Sequence, residues 1–217
     1  MIKIHGIRLS PFVRKVWILL RAKQIPFETN EITPFAIDEE YRKKLHPLGK
    51  IPCLEDGEFI LPDSSAICNY LESIHPNPSF LPSNPKDCSR ALWLEEYFDS
   101  EGARVFGLMY FYQRFVKPNF LKEEPDEALV TKAIEIEIPK LFSYLKSQLG
   151  ENSFLFGDTL SLADIAFFTQ VRNAALAGFS IDPTTWPEIN AYYQRISEHS
   201  VIAQLIEEEG KLLERMR

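Results

Sequence analysis

Four prolines set close together, Pro76, Pro78, Pro82 and Pro85, constrain this chain more than any other feature. Each ring fixes φ and removes a backbone N–H, so neither a helix nor a central strand can run through the segment. The chain must therefore fold as two stretches joined by a linker at residues 76–85. The hydrophobic period differs on the two sides of it. The 217 residues leave room for one or two domains, each able to bury a core of its own.

Residues 1–75 alternate short strand-like and helix-like pieces. Ile2 to His5 reads as a strand. Pro11 to Lys23 carries Val13, Val16, Trp17 and Leu20 at helical spacing, and Pro11 suits a first helical turn. Phe27 to Ile32 alternates like a strand. Cys53 to Glu55 and Glu58 to Leu61 flank Asp56-Gly57, a hairpin signal. A helix then runs from Asp63 to about Ile74 with Ala66, Ile67, Tyr70 and Leu71 on one face. The order β-α-β-α-β-β-α is the thioredoxin-like arrangement, with a four-stranded mixed sheet. Residues 86–217 are expected to form an all-α domain, a helical bundle. Its helices are Lys86 to Phe115, Asp126 to Leu149 with a kink at Pro139, Ser161 to Ala177, Trp186 to Ser197 and Val201 to Arg217.

Composition excludes several function classes. The 45% hydrophobic and 25% charged residues are ordinary for a soluble globular protein. A net charge of −7 argues against nucleic acid or an anionic membrane surface as partner. No apolar run approaches the roughly 20 residues that span a bilayer, and no secretory signal precedes the first strand, so a cytoplasmic protein is expected. Cys53, Cys68 and Cys88 are odd in number and unpaired in spacing, which suits a reducing compartment. His5, His46, His75 and His199 are scattered, so no metal site is expected.

Four motifs carry chemistry. Ser10-Pro11-Phe12-Val13-Arg14-Lys15-Val16 opens the first helix. His46-Pro47-Leu48-Gly49-Lys50-Ile51-Pro52-Cys53-Leu54 precedes the hairpin, and Asp63-Ser64-Ser65-Ala66-Ile67-Cys68-Asn69-Tyr70-Leu71 follows it. Gly157-Asp158-Thr159-Leu160-Ser161-Leu162-Ala163-Asp164 opens a later helix. Taken singly each has a plain structural reading. Ser10 is then a helix cap, Ser64 a helix start, Lys50 a solvated charge and Pro52 an edge-strand proline in trans.

Together, in this order and at this spacing, they resemble the cytosolic glutathione transferases. The patterns are G-K-I/V-P-x-L, E/D-S-x-A-I-x-x-Y-L and G-x-x-x-S/T-x-A-D. The S-P-F-x-x-R/K-V start is similar to the serine-type classes, most nearly the tau-like one. The resemblance spans the whole chain and implies glutathione as co-substrate, no metal, and a homodimer. It implies that Ile51, before a cis Pro52, offers its backbone to the cysteinyl part of glutathione. Ser64 suits the γ-glutamyl carboxylate, and Asp63 can pair with that end's ammonium or cap its own helix. Lys50 can reach the glycyl carboxylate. The family's further basic residue is missing from Thr33 to Asp38, and Lys43, Lys44 and His46 stand open as substitutes.

Ser10 is the expected catalytic residue. A free thiol has a pKa of about 8.5, and lowering it by roughly two units takes about 2.7 kcal/mol of thiolate stabilisation. One charge-assisted hydrogen bond from the Ser10 hydroxyl plus a helix N-terminus can supply that. Redox classes of the family place cysteine here, and serine cannot form a mixed disulfide. Ser161 and Asp164 read as a structural capping box, S-x-x-D. His5 reads as structural, and Cys53 as either redox-sensitive or a small buried residue. Candidates for an apolar electrophile pocket are Phe12, Phe35, Arg104, Leu108, Phe111 and Tyr112. The expected activity is conjugation of glutathione to small hydrophobic electrophiles. A non-catalytic interaction module, or an isomerase or dehalogenase of the same fold, is the alternative.

Overall fold

The computed structural model describes residues 1–215. The chain forms two compact units. One comprises Met1–Leu81 with the C-terminal segment from His199, and the other is Pro82–Glu198.

The first unit is built on a four-stranded sheet in the order β2-β1-β3-β4. β1 (Ile2–His5) pairs parallel with β2 (Phe27–Asn30) through the crossover helix α1 (Pro11–Ala22). β3 (Cys53–Asp56) pairs antiparallel with β1 and with β4 (Phe59–Pro62). A short 3-10 turn (Pro34–Ala36) and α2 (Glu39–Lys44) lie between β2 and β3, and α3 (Ser64–Ile74) follows β4. The β3–β4 ladder closes at Asp56↔Phe59, so the turn residues are Gly57 and Glu58, one step later than Asp56-Gly57 suggests. Gly57 takes the left-handed φ of +62° that such a turn requires.

Ile2 and Ile4 on β1 and Val13, Val16, Trp17 and Leu20 on α1 make the core of this unit, as their periods predict. α1 is buried well beyond that stripe. Every residue from Val13 to Leu20 is covered, Arg14 and Lys15 among them. The proline-rich segment is also more ordered than a free linker. Lys23 Nζ donates to the carbonyls of His75 (2.7 Å) and Pro78 (2.6 Å) and pairs with Glu72 (2.8 Å). Glu72 in turn accepts the Phe80 N–H, and Phe80 is buried.

The second unit is helical, with α4 (Pro85–Tyr97), α5 (Glu127–Lys132), α6 (Ile138–Leu149), α7 (Leu162–Leu176) and α8 (Pro187–Ser197). α4 runs on without a break as a helix of wide, π-type turns (Phe98–Leu121), and a second π-type stretch (Ala133–Glu137) joins α5 to α6. That second stretch ends two residues before Pro139, where the sequence predicts a kink; Pro139 occupies the first turn of α6. α7 is buried on nearly all sides and is the central helix of the unit. Phe167 on it meets Phe98 (5.4 Å between ring centroids) and stacks on Tyr192 (5.3 Å).

The last helix, α9 (Ser200–Arg215), departs from the expected 86–217 all-α domain. It belongs with the sheet-containing unit and packs on α1, because its Glu208 and Glu209 answer the arginines of the first unit. The last two residues of the helix expected over Val201 to Arg217 lie outside the described residues.

Candidate active site

Strand register gathers the predicted residues at one end of the sheet. β1 ends at His5, which pairs with Cys53, the first residue of β3. Cys53 also pairs with Pro62, the last residue of β4. The Gly6–Ser10 turn, the Ile51–Pro52 peptide and the Asp63–Ser64 start of α3 therefore leave the same edge. Gly6 (φ +142°) lets them approach, since a Cβ there would fall 2.6 Å from Val13 Cγ2 and 3.1 Å from Ile51 Cβ. Lys15 Nζ donates to Ser65 Oγ (3.1 Å), which ties α1 to the first turn of α3.

Ser10 sits at the N-cap of α1 with extended backbone (φ −72°, ψ 131°), and its side chain makes no capping hydrogen bond. Its N–H donates to Ile7 O (3.0 Å), and its carbonyl accepts the Arg14 N–H (2.9 Å). The helix opens with Pro11, so the N–H groups of Phe12 and Val13 have no intrahelical acceptor. A half-buried hydroxyl thus stands beside the positive end of α1. That suits an anion better than it suits a stability cap.

The Ile51–Pro52 bond is cis. Ile51 is buried and lies two residues before β3, so its backbone leads into that strand at the same end of the sheet. Asp63 caps α3, with one carboxylate oxygen accepting the N–H groups of Ser65 (2.9 Å) and Ala66 (3.1 Å). It does so at φ 78°, ψ 128°, a conformation a non-glycine residue rarely adopts. The strained position presents the N-terminus of α3, with Ser64 buried in its first turn. Lys50 is exposed, and its carbonyl accepts the Tyr41 hydroxyl (2.9 Å).

Of the substitutes open for the second basic group, His46 is spoken for. It is buried, and its Nδ1 accepts the Leu48 N–H (3.2 Å). Burial, reinforced by the Lys50 charge and opposed by Asp63, holds its pKa below the usual imidazole value. Lys44 pairs with Glu40 (2.8 Å). Sequence reasoning passed over Arg42. Its guanidinium lies against Gly49, where a Cβ would fall 2.1 Å from Nη1. Gly49 (φ +60°) is glycine both for its conformation and for this approach. The missed signal was Arg42 itself, on the short helix before the G-K-I-P segment, with the next glycine placed to receive it.

Comparison with known proteins decides the family. Residues 4–79 match the profile "Glutathione S-transferase, N-terminal domain", and residues 110–209 match "Glutathione S-transferase, C-terminal domain". "Glutathione S-transferase 3" of Zea mays is 31% identical over 75% of this chain and 73% of the relative. The chain belongs to the glutathione S-transferase family. "Glutathione S-transferase U3" of Arabidopsis thaliana is 25% identical over 99% of this chain and 92% of its own. The apo form of human glutathione-S-transferase T1-1 shares the fold, with a TM-score of 0.86 at 23% identity, over 98% of this chain and 89% of that one.

Two residues near the transferase's candidate site are occupied structurally. His5 Nδ1 faces Asn30 Nδ2 (3.1 Å) and its Nε2 faces Glu55 (2.9 Å), so both ring nitrogens have partners. Cys53 is buried and its thiol faces Leu45 O (3.4 Å). Burial, with Glu55 adding to it, pushes that thiol up to about 12, which makes it a poor nucleophile. The electrophile candidates differ among themselves. Phe35 (64% exposed) and Leu108 (62% exposed) are large apolar side chains at the surface, and Phe111 stacks on Phe115 (4.9 Å). Arg104 is engaged by Glu101 (2.6 Å) and Glu137 (3.0 Å), so only its stem is left for an apolar ligand. Among the described residues no cluster of three or more His, Cys, Asp or Glu can hold a metal, and no helix is long and apolar enough to cross a membrane.

Proposed function

We propose that this transferase binds glutathione at the shared end of the sheet and activates its thiol with the Ser10 hydroxyl. The observation that carries the reading is a Ser10 side chain that spends nothing on capping its own helix, beside a cis Ile51–Pro52 peptide. Ile51 supplies backbone to the cysteinyl part as an added strand. Ser64 and the N-terminus of α3 receive the γ-glutamyl carboxylate, with the Asp63 carboxylate beside the ammonium. Lys50 takes the glycyl carboxylate, and the reading adds Arg42, whose guanidinium lies against Gly49, the residue before Lys50.

The thiol gives its proton to solvent, and the thiolate accepts a hydrogen bond from Ser10 Oγ. The sulfur lone pair then forms a bond to an electrophilic carbon. Chloride leaves in aromatic substitution; in conjugate addition water protonates the resulting carbanion. The electrophiles are small and hydrophobic, and in the sheet-containing unit Phe12 and Phe35 are candidate contacts for them. Serine at the reactive position favours conjugation over redox exchange. The Zea mays and Arabidopsis relatives, both named transferases, favour an enzyme over a non-catalytic module or another enzyme of the fold. A cytoplasmic location fits Cys53, Cys68 and Cys88 forming no disulfide, and a homodimer is what the family resemblance implies.

Titration calorimetry with glutathione, together with conjugation to a chlorinated nitroaromatic, tests the reading. Saturable binding and turnover are expected. Absence of both would refute it.

A further inference from the structure

Two arginines flank Ser10, and both reach the same helix. Arg8, two residues before it, pairs with Glu208 (3.1 Å). Arg14, four residues after it, pairs with Glu209 (Nε to Oε1, 2.6 Å). The two glutamates are neighbours on α9. The Arg14 and Glu209 side chains are wholly buried, at 0% exposure each, and Arg14 Nη2 lies 3.5 Å from the carbonyl of Leu9, the residue before Ser10. Glu208 also takes both Nη atoms of Arg21 (2.9 Å each). The Arg8 and Arg21 guanidiniums lie over the Trp17 ring, 4.6 and 5.2 Å from its centroid. The hydrogen bonds from Arg21 draw the Glu208 carboxyl below its usual pKa, with the Arg21, Arg8 and Lys211 charges adding to the effect and burial opposing it.

Holding two helices together does not call for this arrangement. A buried ion pair loses much of its attraction to desolvation, and an apolar pair of the same volume holds as well or better. What a guanidinium–carboxylate pair adds is direction. The backbone so directed is the Ile7–Ser10 turn, and a hydroxyl that must meet a thiolate tolerates only about 0.5 Å of error.

We propose that α9 is a positioning strap for the reactive serine, with Glu208 and Glu209 gripping Arg8 and Arg14 on either side of Ser10. The inference rests on the reading of Ser10 as the donor to the glutathione thiolate. Arg8, Arg14, Glu208 and Glu209 are positioning residues and touch no reacting atom.

The test uses the full chain and two variants. Glu208→Gln, on the half-exposed side, removes one grip at small structural risk. Arg14→Met with Glu209→Leu replaces the buried pair by apolar groups of similar size. The pKa of bound glutathione is read from thiolate absorbance against pH. Affinity is read separately with S-methylglutathione, which has no thiol to ionise. Both variants are expected to bind S-methylglutathione within about twofold of the parent and to raise the thiol pKa by about one unit, a tenfold loss of thiolate below it. A lower melting temperature with the thiol pKa unmoved assigns the pairs to stability alone and overturns this inference. Failure of the unaltered chain to bind glutathione overturns the proposed function together with it.

Discussion

Replacing Ser10 by alanine separates the two roles a serine before a helix can have. A true N-cap serine loses about 1 kcal/mol on this change. Here the side chain makes no capping hydrogen bond, so the cost to folding should stay below about 0.5 kcal/mol. For a chain of this length that is a fall in Tm of about 1–2 °C. The catalytic cost runs the other way. A hydrogen bond to a charged group contributes about 1.5–3 kcal/mol, which is roughly one to two units of thiol pKa. If the parent holds the bound thiol near 6.5, the variant should let it rise to between about 7.6 and 8.7. At pH 6.5 kcat/KM with a chlorinated nitroaromatic should then fall about sevenfold to eightyfold. The loss should shrink as pH climbs past 9, where the thiol ionises unaided. Affinity for S-methylglutathione should hardly move. A drop of several degrees in Tm with kcat/KM preserved at pH 6.5 would return Ser10 to the status of a cap and move thiol activation elsewhere.

Three further outcomes follow from the same geometry. Asp164 is fully buried and accepts from Leu155 N (2.9 Å), Ser161 N (2.7 Å) and Tyr192 Oη (2.5 Å). Asp164→Ala strands those donors, so calorimetric unfolding should show a loss of about 4 kcal/mol and a Tm lower by about 8–16 °C. Gly49→Ala forces a left-handed φ on a residue with a Cβ and displaces Arg42; glutathione KM should rise several-fold while kcat holds, and an unchanged KM would remove Arg42 from the site. The Glu208 pKa is lower in the folded chain than the unfolded value of about 4.3, so its contribution is complete above that pH and is lost as pH falls through the folded value. The protection of α9 amides against hydrogen exchange should therefore fall below about pH 4.3, and Glu208→Gln should flatten that dependence.

Much of this protein was legible from local pattern. Alternation marked the strands and the Ser161–Asp164 spacing marked a capping box, because each is a property of a few adjacent residues. The segments proposed for the site are short for a related reason. A turn before Pro11, a residue before Pro52 and a helix start at Asp63 are each written in one short motif. The strand ladder then carries all three to one edge. Relations between distant segments were not legible. α9 reads as one more amphipathic helix of the all-α region, and nothing local says that Glu208 and Glu209 will meet Arg8 and Arg14 nearly 200 residues away. Arg14 and Lys15 look like surface charges for the same reason, since burial depends on what covers a helix. Arg42 could be placed only once the loop folded back to lay Gly49 beneath it. Sequence alone determined which chemistry this chain carries, because motifs of adjacent residues encode it. Tertiary structure alone decided what holds Ser10 in place, because that contact closes across almost the whole length of the chain.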